Sequence, residues 1–216
     1  MTKHFQTEID RLKKKILHLA ALVEESLHMA VRAVTDRNIE LADRVVNGDP
    51  VIDSLEIEVE EDCLKILALH QPVAADLRFV VAVLKINSDL ERIADLAVNI
   101  VERARDQARN AHMAVAFDLT AMLNRSVMMV RTSVDALVAQ DTVKAQEVIA
   151  EDDVVDDMHR SAFRLIQQLI RENPDKVDYL VCLLSVSRNL ERIADHATNI
   201  AEDVIYMIEG EIVRHR

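Results

Sequence analysis

The sequence predicts an all-α protein built as two tandem three-helix bundles, and three observations carry that expectation. Glycine (2), proline (3) and aromatic residues (3%) are too sparse for strands joined by tight turns, whereas Ala, Leu, Val, Ile, Glu and Arg abound. Apolar residues recur in alternating steps of four and three, the buried stripe of a helix packed lengthwise against others. The chain also repeats itself, since "LERIADLAVNI" from Leu90 returns as "LERIADHATNI" from Leu190. Half of the 216 residues are apolar (50%), enough to fill a substantial core.

Taking the elements in order, Phe5, Ile9, Leu12, Ile16, Leu19, Val23, Leu27, Ala30 and Val34 mark the stripe of a first helix. Asn38 offers a side-chain cap for a second helix that reaches about His70. Pro50, in "NGDP", lacks the backbone donor that would bond to Val46, so a kink or brief break is expected there. Pro72, in "QPVAADLR", suits a first helical turn and is expected to start a third helix. The stripe of that helix is Phe79, Val83, Ile86, Leu90, Ile93, Ala97, Ile100 and Ala104.

One hundred residues later the same stripe returns as Tyr179, Leu183, Val186, Leu190, Ile193, Ala197, Ile200 and Val204. The earlier helices repeat at an offset of 103: Leu27, Val31 and Val34 align with Val130, Val134 and Leu137, and "DPVID" with "DDVVD". The offset changes near Pro72 and Pro174, where a connection is free to lose residues. The chain therefore reads as two units, residues 1–110 and 111–216, joined near "RNAHMAVAF". At roughly 30 residues a helix, each bundle is about 45 Å long.

The repeated phrase carries the chemistry. Glu91 and Asp95 are four residues apart, so a helix presents their carboxylates on one face, one turn apart, and Glu191 and Asp195 do the same. At about 100° per residue, both pairs point away from the stripe of their own helix. The second helices carry the same spacing in Asp49 with Asp53 and in Asp152 with Asp156. Consecutive helices of a bundle are neighbours, so matching registers would gather four carboxylates on each bundle, a surface for hard cations such as iron, magnesium, manganese or calcium. The alternative is an ion-paired, solvated face. Arg92 is spaced to pair with Asp89 and Asp95, Arg188 and Arg192 are spaced to pair with Glu191 and Asp195, and the like-charge repulsion totals only about 1–2 kcal/mol.

His159, three residues beyond Asp156, lies on nearly the same face and offers a nitrogen ligand, whereas its counterpart in the first repeat is Glu56. His196 is expected to be structural, Lys13, Lys14 and Lys15 to be solvated, and Met128 and Met129 to fill the core. Leu84 and Val98, close in angle to Glu91, suggest that the acidic face is partly covered.

Charge and composition exclude several functions. Lys plus Arg total 26 against 38 Asp plus Glu, and the formal charge of -12 disfavours nucleic acid and anionic membranes and favours cations. No apolar run is long enough to span a membrane, and no leader opens at Met1, so neither membrane insertion nor secretion is expected. Cys63 and Cys182 sit in apolar helical patterns without a CxxC unit and read as buried thiols. No phosphate-cradling glycine loop, Ser-His-Asp order or HExxH helix is present. A ferritin-like oxidase would want Glu-x-x-His facing the core, but Ala94 and Ala194 follow Glu91 and Glu191 by three residues. An enzyme is not expected; a carboxylate-metal storage or redox protein is the rival reading.

"HQPVAADLR" followed by "LERIADLAVNI", with its echo "LERIADHATNI", resembles the signature of the PhoU family of phosphate-signalling proteins, and the resemblance spans essentially the whole chain. Many relatives have Gly where Ala94 and Ala194 stand here. The resemblance implies two bundles related by a pseudo-twofold. It also implies metal ions held by Asp49, Asp53, Glu91, Asp95, Asp152, Asp156, Glu191 and Asp195, with iron, zinc, magnesium, manganese and calcium all open. It further implies a cytoplasmic, homodimeric, non-enzymatic regulator linking the ATPase of the high-affinity phosphate importer to a sensor histidine kinase. Such a regulator represses the phosphate-starvation response when phosphate is ample. Service to a different phosphate permease is the third reading.

Overall fold

Each stripe becomes one long helix because its apolar residues share a face and little glycine or proline interrupts it. The computed structural model describes residues 3–107 and 117–210. In chain order the helices are α1 (Lys3–Thr35), α2 (Ile39–His70), α3 (Ala74–Gln107), α4 (Leu119–Ala139), α5 (Thr142–Glu172) and α6 (Val177–Glu209), with a short 3-10 turn at Pro174–Lys176 before α6. No strand occurs among the described residues. The joint expected near residues 109–117, and with it the boundary at 110/111, lies outside the described residues apart from Phe117.

Side chains set the ends of the helices. Asn38 caps α2 by accepting from the Leu41 amide at 3.1 Å, as its sequence context predicts. Asp118 and Asp141 do the same for α4 and α5. Gln71 then turns α2 off in a left-handed conformation (φ 46°), and Pro72 follows it. Pro72 therefore ends one helix rather than starting the next, and α3 begins two residues later at Ala74. Pro50 does not break α2 either. The helix is continuous across it, because Val45 and Ile52, buried on either side, keep it packed on its neighbours while Pro50 itself is exposed.

α1, α2 and α3 pack together as one bundle and α4, α5 and α6 as the other, with α3 lying on α6 and α1 on α4 between them. The stripe of α3 is buried from Phe79 to Ile100, the last member whose side chain is described, and that of α6 from Val186 to Val204. Tyr179 and Leu183, at the start of the second stripe, are only partly covered. A single apolar core runs through residues of all six helices. Ala94, Ala97, Ala194, Ala197 and Ala201 are buried, so α3 and α6 carry small side chains where long helices pack closely.

α3 and α6 run antiparallel. Arg78 Nε donates to the Met207 carbonyl at 3.0 Å, Lys85 Nζ to Asp203 at 3.0 Å, and the Cys182 thiol to the Arg103 carbonyl, so contacts move up one helix as they move down the other. Between them, His196 Nδ1 lies 2.8 Å from Asp89 Oδ1, which confirms a structural place for His196 and takes Asp89 from the pairing expected with Arg92. The basic run on α1 divides: Lys13 and Lys14 are exposed, but Lys15 reaches across to Asp62 (2.7 Å) and Glu58 (3.1 Å) of α2. Burial opposes the charge of Lys15, and its hydrogen bonds to the two acids outweigh that and raise its pKa. Met129 is buried as expected, whereas Met128, one position around the helix, is 59% exposed. Cys63 and Cys182 are buried thiols.

Candidate metal centre

A polar contact at the same place in each repeat sets the register of the acidic helices. Asn87 of α3, fully buried, donates to the Glu56 backbone carbonyl at 2.9 Å and to Glu56 Oε1 at 2.8 Å on α2. In the second repeat the corresponding residues are His159 of α5 and Ser187 of α6, and His159 Nδ1 lies 2.9 Å from Ser187 Oγ. With antiparallel neighbours aligned there, Asp53 faces Glu91 and Asp49 faces Asp95 a turn farther on, while Asp156 faces Glu191 and Asp152 faces Asp195. The sequence pattern does not reveal these contacts, since a lone Asn or Ser beside an apolar stripe does not announce its partner.

The electrostatics show the four acids of each repeat gathered. Burial first, then the charges of Asp53 and Asp95, raise the pKa of Asp49. Glu91 is raised by burial and then by Asp95, with Arg92 opposing and Asp53 adding to the rise. In the second repeat Asp152 is pushed up to about 6 by burial, then by Asp195 and Asp156, against the effect of neighbouring Thr198. Glu191 is raised by burial and Asp195 against the charge of Arg188, and Asp195 by desolvation and Asp156 against His196 and Arg188. All eight sequence-predicted acids therefore fall into two clusters, Asp49, Asp53, Glu91 and Asp95 in one and Asp152, Asp156, Glu191 and Asp195 in the other. Leu84 and Val98 are partly buried and pack against the core.

The ion-paired alternative is only partly realised. Arg92 lies 3.5 Å from Glu91 and 3.6 Å from Asp95, and Arg160 lies 3.9 Å from Asp156. These arginines are more than half exposed, and Glu91 is still raised by burial and its acidic neighbours against the opposing charge of Arg92. Among the described residues, Glu191 Oε2 is a buried oxygen without a hydrogen-bond partner. An unpaired buried carboxylate oxygen among like charges is costly, and a cation is the group that would satisfy it. The donor set fits a hard ion: all oxygen, all anionic, on rigid helices. No three ligand atoms within either acid cluster lie within 4.8 Å of one another, so the four acids of each cluster line a patch rather than converge on one point. Burial and the nearby Arg188 lower the pKa of His159, leaving it a neutral imidazole already engaged by Ser187.

Comparison with known proteins agrees with this repeat. The PhoU domain pattern matches residues 16–104 and again residues 119–204. The phosphate-specific transport system accessory protein PhoU homolog of Aquifex aeolicus is 40% identical over 209 residues, covering 97% of this chain and 95% of that one. The phosphate-specific transport system accessory protein PhoU of Serratia marcescens is 32% identical over 211 residues, covering 98% and 87%. The crystal structure of PhoU from Pseudomonas aeruginosa superposes with a TM-score of 0.93 at 32% identity, covering 96% of this chain and 100% of that chain. The phosphate transport system regulatory protein PhoU from Streptococcus pneumoniae follows at 0.87 and 28%, covering 97% and 99%. Matched in both repeats by sequence and along its whole length by fold, this chain belongs to the PhoU family.

Proposed function

We propose that the protein is a non-enzymatic regulator of phosphate-specific transport, a cytoplasmic adaptor between the ATPase of the high-affinity phosphate importer and its sensor histidine kinase. In this role it holds phosphate-starvation genes off when phosphate is ample. The observation that carries the reading is the end-to-end relationship to proteins named as accessory or regulatory parts of that transport system. The stiff bundles, with long exposed helical faces, suit docking to other helical proteins. Deleting the gene and measuring phosphate-starvation transcripts in phosphate-rich medium tests it: derepression is expected, and unchanged repression overturns it. The same reading makes the protein a homodimer, so light scattering should return twice the mass of the chain.

The acidic clusters fit metal ions, with Asp49, Asp53, Glu91 and Asp95 as ligands on one bundle and Asp152, Asp156, Glu191 and Asp195 on the other. Bound cations would supply positive charge that neutralises each cluster and presents an ion-bridged face to a partner. The surface position of the clusters speaks against a storage or redox protein, whose ligands converge inside the bundle. Replacing Glu91 and Asp95 together by Ala should remove metal from the first bundle while circular dichroism keeps its helical signal, because neither side chain belongs to the core. Elemental analysis showing unchanged metal content would count against the assignment.

A further inference from the structure

A second kind of metal site lies away from the acidic clusters, where α1 begins and α2 ends. His4 and Glu8, four residues apart on α1, point from one face, with His4 Nε2 3.2 Å from Glu8 Oε1. His70, in the last turn of α2, closes the group from the other side, with Nε2 2.6 Å from Glu8 Oε2. One ligand atom from each of the three falls within 4.8 Å of the others, the only such group of three or more His, Cys, Asp or Glu residues among the described residues. Glu8 and His70 are largely covered, at 28% and 17% exposure, and the His70 ring is wedged against buried Phe5, 5.2 Å between ring centres. His4, 76% exposed, leaves the group open to solvent on its side.

From these contacts we infer that His4, Glu8 and His70 form a binding site for a divalent transition ion of the zinc class. Two imidazoles and one carboxylate are the donors such an ion takes, and a solvent position completes a tetrahedron on the open His4 side. The two nitrogens set it apart from the all-oxygen clusters, which suit harder ions. His70 is 17 residues beyond Asp53 along α2, about 25 Å at 1.5 Å per residue, so no ligand is shared with the acidic clusters. A bound ion would clamp the first turn of α1 to the last turn of α2, beside the joint that leads into α3.

The test uses tag-free, full-length protein in which Glu91, Asp95, Glu191 and Asp195 are replaced by Ala, which disables the acidic clusters. This protein is expected to take up one equivalent of Zn²⁺ by calorimetry, to show the visible absorption of nitrogen-ligated Co²⁺, and to melt at a higher temperature with Zn²⁺ present. Adding His4→Ala, at a largely exposed side chain that folding does not need, should weaken Zn²⁺ at least about 10- to 100-fold, the loss seen when mere supporting partners of metal ligands are removed. His70→Gln should act in the same direction. Zn²⁺ affinity unchanged by His4→Ala, or no Zn²⁺ uptake by the cluster-disabled protein, would overturn the assignment while leaving the acidic clusters and the regulatory role untouched.

Discussion

Asp152 shows how a residue legible in the sequence acquires its chemistry only from its neighbours. The spacing places it four residues from Asp156, but only the folded chain half-buries it, brings Asp195 against it and so raises its carboxyl to about 6 from the ordinary 3.8. Between those two values the folded protein holds a proton that the unfolded chain has lost, so this group makes stability fall as pH rises through the window. Its penalty is absent below 3.8 and complete above about 6. In chelator-treated protein, Asp152→Asn should therefore raise stability at pH 7.5 by on the order of 1 kcal/mol after solvent screening. The advantage should shrink through pH 6 and vanish near pH 4, as read from melting temperatures. An advantage that does not depend on pH would mean that charge is not the cause. His159 and Glu56 illustrate the same limit, since each sits on an acidic face by spacing, yet each is turned to a register contact by a residue 31 or 28 positions away.

At the scale of helices, caps and stripes were readable because their physics is local. Asn38 needs only its own turn, and the α3 stripe needs only a period. Breaks were less readable, because packing overrides a single residue's preference, as the uninterrupted passage of α2 through Pro50 shows. Gly48 lies in that same stretch, and a Cβ added there meets nothing within 4 Å. Gly48→Ala is thus expected to stabilise the protein by about 0.5–1 kcal/mol, checked by denaturant midpoint at constant slope. The register contacts are the opposite case. Asn87→Ala removes two hydrogen bonds from a buried position and strands the Glu56 acceptors, which should cost about 1–3 kcal/mol. It should also loosen the alignment of Asp53 with Glu91, and slower amide exchange in the variant than in the parent around these residues would contradict that.

For the molecule as a whole, the two bundles share one core rather than merely touching. A single cooperative melting transition is expected by calorimetry, in place of two separable ones. Lys85 bridges the bundles, with 42% of its side chain exposed, to an Asp203 side chain that is 2% exposed. Lys85→Ala should lower stability by about 1–3 kcal/mol, because it takes the ammonium from a carboxylate that stays buried. The interface departs from the internal repeat: the counterparts of Asp89 and His196 are Asn189 and the buried Leu96, so a polar link on one side of the pseudo-twofold answers to an apolar position on the other.

The amino-acid pattern by itself determined the helical class, the duplication, the core stripes and the eight acids, because helical period and four-residue spacing are properties of a single helix. Tertiary structure decided everything that needs two helices at once: which acids meet, which carboxylate oxygen is buried without a partner, that Lys15 and His196 bridge helices, and that His70 comes to His4 and Glu8. The physical reason is that one helix fixes only angles about its own axis, whereas the slide of one helix along another is set by side chains far apart in the chain.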